Sequence, residues 1–152
     1  MDKTYILVKG KWVYLYRAAD KYGDTIDFLL RTKRDKVAVK AFFKKAVKSS
    51  GCPIKINIDK SGSNTSALKS INKAVSEEDK IEIRQNKYFN NRIEGDHRFI
   101  KKRTRAMLGF KSFRSTAKTI AGIELVHMIK KGQLIDNKNY NFNFDKFLSL
   151  AA

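Results

Sequence analysis

Three acid residues stand where carboxylates can serve as oxygen ligands for divalent metal ions. Asp2 opens the chain just before Thr4-Tyr5-Ile6-Leu7-Val8. Asp59 closes the alternating run Pro53-Ile54-Lys55-Ile56-Asn57-Ile58. Glu94 lies in a basic stretch, Asn90-Asn91-Arg92-Ile93-Glu94-Gly95-Asp96-His97-Arg98-Phe99-Ile100-Lys101-Lys102-Arg103, which reads as one helix. At 3.6 residues per turn His97, Arg98 and Lys101 share the face of Glu94, and so much positive charge keeps its carboxylate ionised. Acids at the carboxyl ends of strands lie where open α/β sheets gather ligands. Two strand acids and one helix acid suit the holding of two metal ions for phosphoryl transfer. The plain alternative is that Glu94 is a surface acid on a solvated basic helix.

The elements that must position these acids follow from periodicity. Thr4 to Val8, Trp12 to Arg17 and Thr25 to Leu30 are rich in β-branched and aromatic residues. Lys9-Gly10-Lys11 and Asp20-Lys21-Tyr22-Gly23-Asp24 separate them and read as hairpin turns. Asp35 is a plausible N-cap for a helix with Val39, Phe42, Phe43, Ala46 and Val47 inward, ending at Gly51. A strand from Pro53 to Asp59 is followed by the loop composition Lys60-Ser61-Gly62-Ser63-Asn64, a short helix from Asn64 to Lys73 and a strand near Lys80 to Arg84. After the Glu94 helix, Thr104 to Lys111 reads as irregular. Ser112 then begins a last helix with Phe113, Ala117, Ile120, Ala121, Leu125, Met128 and Ile129 on one side. His127, near that face, reads as a structural histidine. The tail 134–152, with Asn137 to Phe144 polar and aromatic, carries few core signals.

Composition bounds the partners. With 33 basic and 15 acidic side chains in 152 residues, the net charge is +18. Such an excess calls for a polyanion, of which nucleic acid is the usual one. A hydrophobic content of 42% and aromatic content of 11% argue for a folded domain with a core rather than a disordered basic arm. The single cysteine, Cys52, excludes an internal disulfide and a cysteine-based zinc cluster. No apolar run reaches membrane-spanning length and the first residues do not resemble a signal peptide, so the expected location is cytoplasmic, at the nucleoid, with no membrane partner.

Three segments carry a resemblance to a known family: Asp2-Lys3-Thr4-Tyr5-Ile6 with Val8-Lys9-Gly10-Lys11-Trp12-Val13-Tyr14-Leu15-Tyr16-Arg17-Ala18, the strand end Ile58-Asp59-Lys60, and the long run from Asn90 through Arg114-Ser115. From Asp2 to about Gln133 the chain resembles the catalytic domain of the DDE transposases of IS-six-type bacterial insertion sequences. The 34 residues between Asp59 and Glu94, and the basic Lys101 seven positions beyond Glu94, match the family's spacing. Two departures are visible. The family's amino-terminal DNA-binding region and the strand residues ahead of the first Asp are absent before Met1, and Lys3 stands where Glu is usual.

The resemblance implies an α/β fold of the ribonuclease-H-like, retroviral-integrase-like type: a mixed sheet flanked by helices, over 1–133, amino-terminally truncated, with 134–152 as a polar carboxyl-terminal tail. It implies an enzyme that cuts at the transposon end and directs the exposed 3′-hydroxyl at target DNA. Its cofactor is two Mg²⁺ ions about 4 Å apart, replaceable by Mn²⁺. Asp2, Asp59 and Glu94 are the implied metal-holding catalytic acids, and Lys60, Arg98 and Lys101 bind phosphates near the scissile bond. Lys102, Arg103 and Arg105 position the double-stranded DNA, and His97 contacts DNA or orients its surroundings. A homodimer is expected in the DNA complex. The alternatives are a catalytically inactive remnant that only binds DNA, and an unrelated basic RNA-binding or ribosomal-type protein; convergence of the three acids separates the last from the others.

Overall fold

Lys9 and Gly10 both take positive φ, 49° and 73°, the backbone of a two-residue hairpin turn whose twist matches the strands it joins. Strand β1 (Asp2–Val8) therefore folds back directly on β2 (Lys11–Ala19), with Asp2 opposite Arg17 and Tyr5 opposite Tyr14. A second hairpin brings β3 (Thr25–Arg31) antiparallel to β2, with a register irregularity at Ala18 and Ala19. The structure, a computed structural model, describes residues 1–59, 62–85, 91–107 and 109–133, and residues 91–94 as helical backbone only.

Helix α1 (Lys36–Ser50) starts where the Asp35 carboxylate accepts from the Ala38 N–H, and it stops at Gly51, whose φ of 77° suits glycine. A second sheet pairs β4 (Lys55–Ile58) in parallel with β5 (Glu82–Gln85) across helix α2 (Gly62–Asn72). It lies beside the start of the first sheet, for the Met1 nitrogen donates to the Asn57 carbonyl at 2.7 Å. Helices α3 (Asn91–Arg105) and α4 (Phe113–Lys130) complete a mixed α/β architecture.

Alternation along β1 and β2 divides the side chains between two cores. Met1, Tyr16 and Ala18 pack under α1 and α2 against Val39, Phe42 and Leu68. Ile6, Val8, Val13 and Leu15 pack under α3 and α4 against Ile100 and Ile120. The sheet thus has helices on both faces, and the Asp2 side of β1 faces α3. Among the described residues no helix is long and apolar enough to cross a membrane.

The element order is the one expected from the sequence, and the differences are local. Gly62, Ser63 and Asn64 form the first turn of α2 rather than a loop; Asn64 there is buried and its side chain donates to the Asp59 carboxylate. Helix α3 continues through Thr104 and Arg105, which were expected to be irregular. Cys52 is exposed. The inward face of α4 carries Thr116, Ile120, Glu124 and Ile129, while Phe113, Ala121 and Leu125 are exposed. An ion partner for Glu124 beneath the helix rotates the stripe away from Leu125. The tail 134–152 and Lys60 lie outside the described residues.

Candidate active site

Asp2 and Asp59 come together although 56 residues lie between them, because β4 lies beside the start of β1. Asp2 is the first residue of β1 and Asp59 the first after β4. Burial pushes the Asp2 carboxyl above the usual aspartate range, and the nearby negative charge of Asp59 adds to the rise, while the Lys3 N–H, donating to Asp2 Oδ1 at 2.7 Å, opposes it. An acid whose proton affinity is raised by burial and by a second negative charge forms, with that charge, a site that a cation stabilises. Within the chain a cation is already present: Lys3 Nζ lies 2.9 Å from Asp59 Oδ2, and Asn64 Nδ2 donates to Asp59 Oδ1 at 2.7 Å.

Glu94 belongs to the first turn of α3; its side chain lies outside the described residues. The helix that carries it is nonetheless held firmly. Asp96, two residues on, is buried; its Oδ2 is 2.9 Å from Arg17 Nη1 and accepts from Lys131 Nζ at 2.8 Å, and its Oδ1 is 2.7 Å from His127 Nε2. Arg17 also meets Glu124 through Nε at 2.7 Å and Nη2 at 2.8 Å, and donates to Thr25 Oγ1 at 3.0 Å. Since Arg17 is the cross-strand partner of Asp2, this network sets the first turns of α3 over the Asp2 end of the sheet. The hydrogen bonds from His127 and Lys131 and the charge of Arg17 outweigh burial and hold the Asp96 carboxyl below the usual range. Burial raises that of Glu124 against the opposing pull of Arg17.

Of the expected DNA-contacting residues, Arg98, Lys102, Arg103 and Arg105 are exposed on α3 and Lys101 is half-buried. Arg103 lies over the Phe99 ring, 5.5 Å from its centre. His97 differs from the expectation of a DNA contact. It is buried, and burial, with the charges of Arg17 and Lys101, lowers its pKa to about 4. A neutral imidazole enclosed in the helix layer does not present itself to phosphate. His127 is the structural histidine expected, stacked on Phe99 with ring centres 4.2 Å apart. Among the described residues no group of three or more potential metal-ligating side chains is assembled.

Sequence reasoning passed over Arg17, Asp96 and Glu124. Two of them leave a signal: Arg17 falls on the Val13–Leu15 face of its strand, and Glu124 falls four residues after Ile120 on the apolar side of its helix.

A family model described as a DDE domain, of the IS240 transposase type, matches residues 1–133, and the chain belongs to that family. It is 38% identical over 144 residues to the transposase for insertion sequence-like element IS431mec of Staphylococcus aureus, covering 94% of this chain and 62% of that protein. The same figures hold for the S. aureus transposase for insertion sequence element IS257 in transposon Tn4003. A Yersinia pseudotuberculosis protein of uncharacterised function is 47% identical over 49 residues, 32% of this chain and 46% of that protein. The chain thus spans less than two thirds of the length of the two transposases.

Proposed function

We propose that this chain is the catalytic domain of an insertion-sequence transposase, which cuts double-stranded DNA at the element's end and transfers the resulting 3′ end to target DNA. The observation that carries the reading is the meeting of Asp2 with Asp59 beneath a helix that the Asp96–Arg17 contact fixes opposite Asp2. Hairpin strands, a parallel pair and helices on both faces support a ribonuclease-H-like fold over residues 1–133, with 134–152 as a separate tail.

The donor set fits a divalent metal. Asp2 and Asp59 offer hard carboxylate oxygens whose mutual repulsion a cation relieves, and Glu94 is the third ligand proposed from α3. Two Mg²⁺ ions, or Mn²⁺ in their place, supply Lewis acidity at the attacked phosphorus when bound. The chain's own residues do the rest. The buried network under α3 holds the Glu94 backbone in place, so little reorganisation accompanies reaction. Lys60 and the α3 cations Arg98 and Lys101 bind the phosphates flanking the reacting bond, and Lys102, Arg103 and Arg105 fix the duplex without reading bases. A homodimer holds the paired ends.

A second reading, a DNA-binding domain that does not cut, is favoured by one observation: the Lys3 ammonium sits on Asp59 where a metal's charge is needed. Nicking of supercoiled plasmid by the purified chain with Mg²⁺ or Mn²⁺, beside Asp59→Ala and Glu94→Ala, separates the two. Cleavage lost by about 10³-fold in both variants, the scale of metal-based transition-state stabilisation, supports the transposase reading. DNA binding without cleavage by the parent supports the second.

A further inference from the structure

The hairpin of β1 and β2 leaves one patch of its face without a helix above it. Tyr16 is buried under α1 and Tyr14 packs partly against the same core, but Tyr5, Leu7 and Trp12 nearer the turn are exposed. Tyr5 is 44% and Trp12 61% exposed. The Tyr5 ring meets both aromatic neighbours edge-on, with centres 6.3 Å from Trp12 and 5.5 Å from Tyr14. Beside them lies a groove of about 640 Å³ whose other wall is α3, through Lys101 and Arg105. Its far end is closed by Phe110, which bridges to Val8 and accepts the Lys9 N–H at 2.8 Å. Among the described residues no acid lines it.

We propose that this groove binds an unpaired stretch of DNA strand, with bases against Tyr5, Trp12 and Tyr14 and phosphates on Lys101 and Arg105. The argument is one of matching chemistry. Duplex DNA brings phosphates to the cations but keeps its bases stacked and away from the rings. An apolar peptide covers the rings and leaves two cations facing it unmatched. An unstacked nucleotide satisfies both walls, since every base has a π-face and base–aromatic stacking tolerates any sequence. The groove's size falls within the roughly 300–1,000 Å³ of small-ligand sites.

Its position points the same way. Tyr5 is three residues along β1 from Asp2, about 10 Å at strand rise. Lys101 is seven residues along α3 from Glu94, about 10 Å at helix rise. The groove therefore lies only a few residues from the proposed acids along both elements, across the edge strand β1 from the face that Asp2 presents, and a strand frayed next to the cut phosphate reaches it. In this respect the inference rests on the transposase reading.

Trp12 is the chain's single tryptophan, so its fluorescence reports on the groove alone. The test titrates the full chain, in metal-free buffer, with an eight-nucleotide single strand and with a blunt duplex of the same length. Anisotropy of the labelled oligonucleotides follows affinity. Quenching of Trp12 by the single strand and not the duplex is expected. Tyr5→Ala and Trp12→Ala should each weaken single-strand binding by about tenfold, as loss of one base–aromatic stack does, while Trp12→Tyr keeps the affinity and duplex binding stays within about twofold. Equal quenching by duplex, or single-strand affinity unchanged in Tyr5→Ala, overturns the proposal. So does emission already blue-shifted without DNA and unmoved by it, the mark of a groove filled by the chain's own residues 134–152. Quenching by the single strand in a chain that never nicks plasmid keeps the groove and sinks the transposase reading; nicking without quenching does the reverse.

Discussion

Two acid pairs flank the Asp2–Arg17 end of the hairpin, one on the helices above it and one at strand ends, and they are built in different ways. Asp96 and Glu124 share Arg17 beneath α3 and α4, with His127 and Lys131 adding donors, and all their charge is matched inside the protein. Asp2 and Asp59 stand at the strand ends with the Lys3 ammonium on Asp59 and with Asp59 still about a third exposed. A carboxylate enclosed together with its cations has a structural task; Asp2, whose carboxyl the charge of Asp59 raises, and the partly exposed Asp59 share a negative neighbourhood that favours an added cation. The difference teaches that burial alone does not mark a working acid in this domain. Balance of charge does.

The comparison breaks most sharply if the buried pair is removed. Glu124→Ala leaves the Arg17 guanidinium enclosed without its main partner and should destabilise the fold by about 3–5 kcal/mol, measured by urea unfolding. Arg17→Met, leaving two buried acids, should cost as much. A loss under about 1 kcal/mol in both would mean that the network is not what holds α3.

Next in size is the pH response of the buried side. His97 has a folded pKa of about 4 against 6.5 unfolded. The neutral form is favoured in the fold, so this stabilisation is fully present above pH 6.5 and is lost as pH falls toward 4, by up to about 3 kcal/mol. His97→Leu should flatten that limb of the stability curve between pH 6.5 and 4. An unchanged slope would show that His97 is free to charge in the folded chain.

The open pair is sharpened by Lys3→Ala. Removing the ammonium from Asp59 should tighten Mn²⁺ binding by about fivefold, the upper range for a partly exposed ion pair, as read by calorimetry in the absence of DNA. Weaker binding would assign Lys3 to holding the acids together rather than competing for them. The smallest effect is expected on the outer face of α3: Lys102→Ala should lower the salt dependence of duplex binding by about one phosphate's worth of counterion release and leave the melting temperature unchanged.

Much of this was legible in advance for a physical reason. Hairpins, caps and amphipathic stripes are local, and Lys9-Gly10, Asp35, Gly51 and Ser112 each announce an element boundary through backbone preferences that do not depend on the rest of the chain. The α4 stripe was misjudged because an apolar pattern counts Leu125 as inward and Glu124 as outward, whereas the cation beneath the helix reverses that choice. His97 was misjudged for a related reason. Its helical position beside Arg98 and Lys101 suggests a DNA-facing ring, and only packing against neighbouring elements shows it enclosed.

By itself the sequence determined the order of strands and helices, the strong positive charge, the acids at strand ends and the family to which the chain belongs. It did so because periodicity, turn chemistry and motif spacing are written over short distances. The tertiary structure alone decided that Asp2 meets Asp59, that Lys3 reaches across to Asp59, and that Arg17 collects Asp96 and Glu124 from two different helices. Those contacts join residues from 56 to 107 positions apart, and which charges meet depends on how the sheets and helices pack, a matter no local pattern encodes.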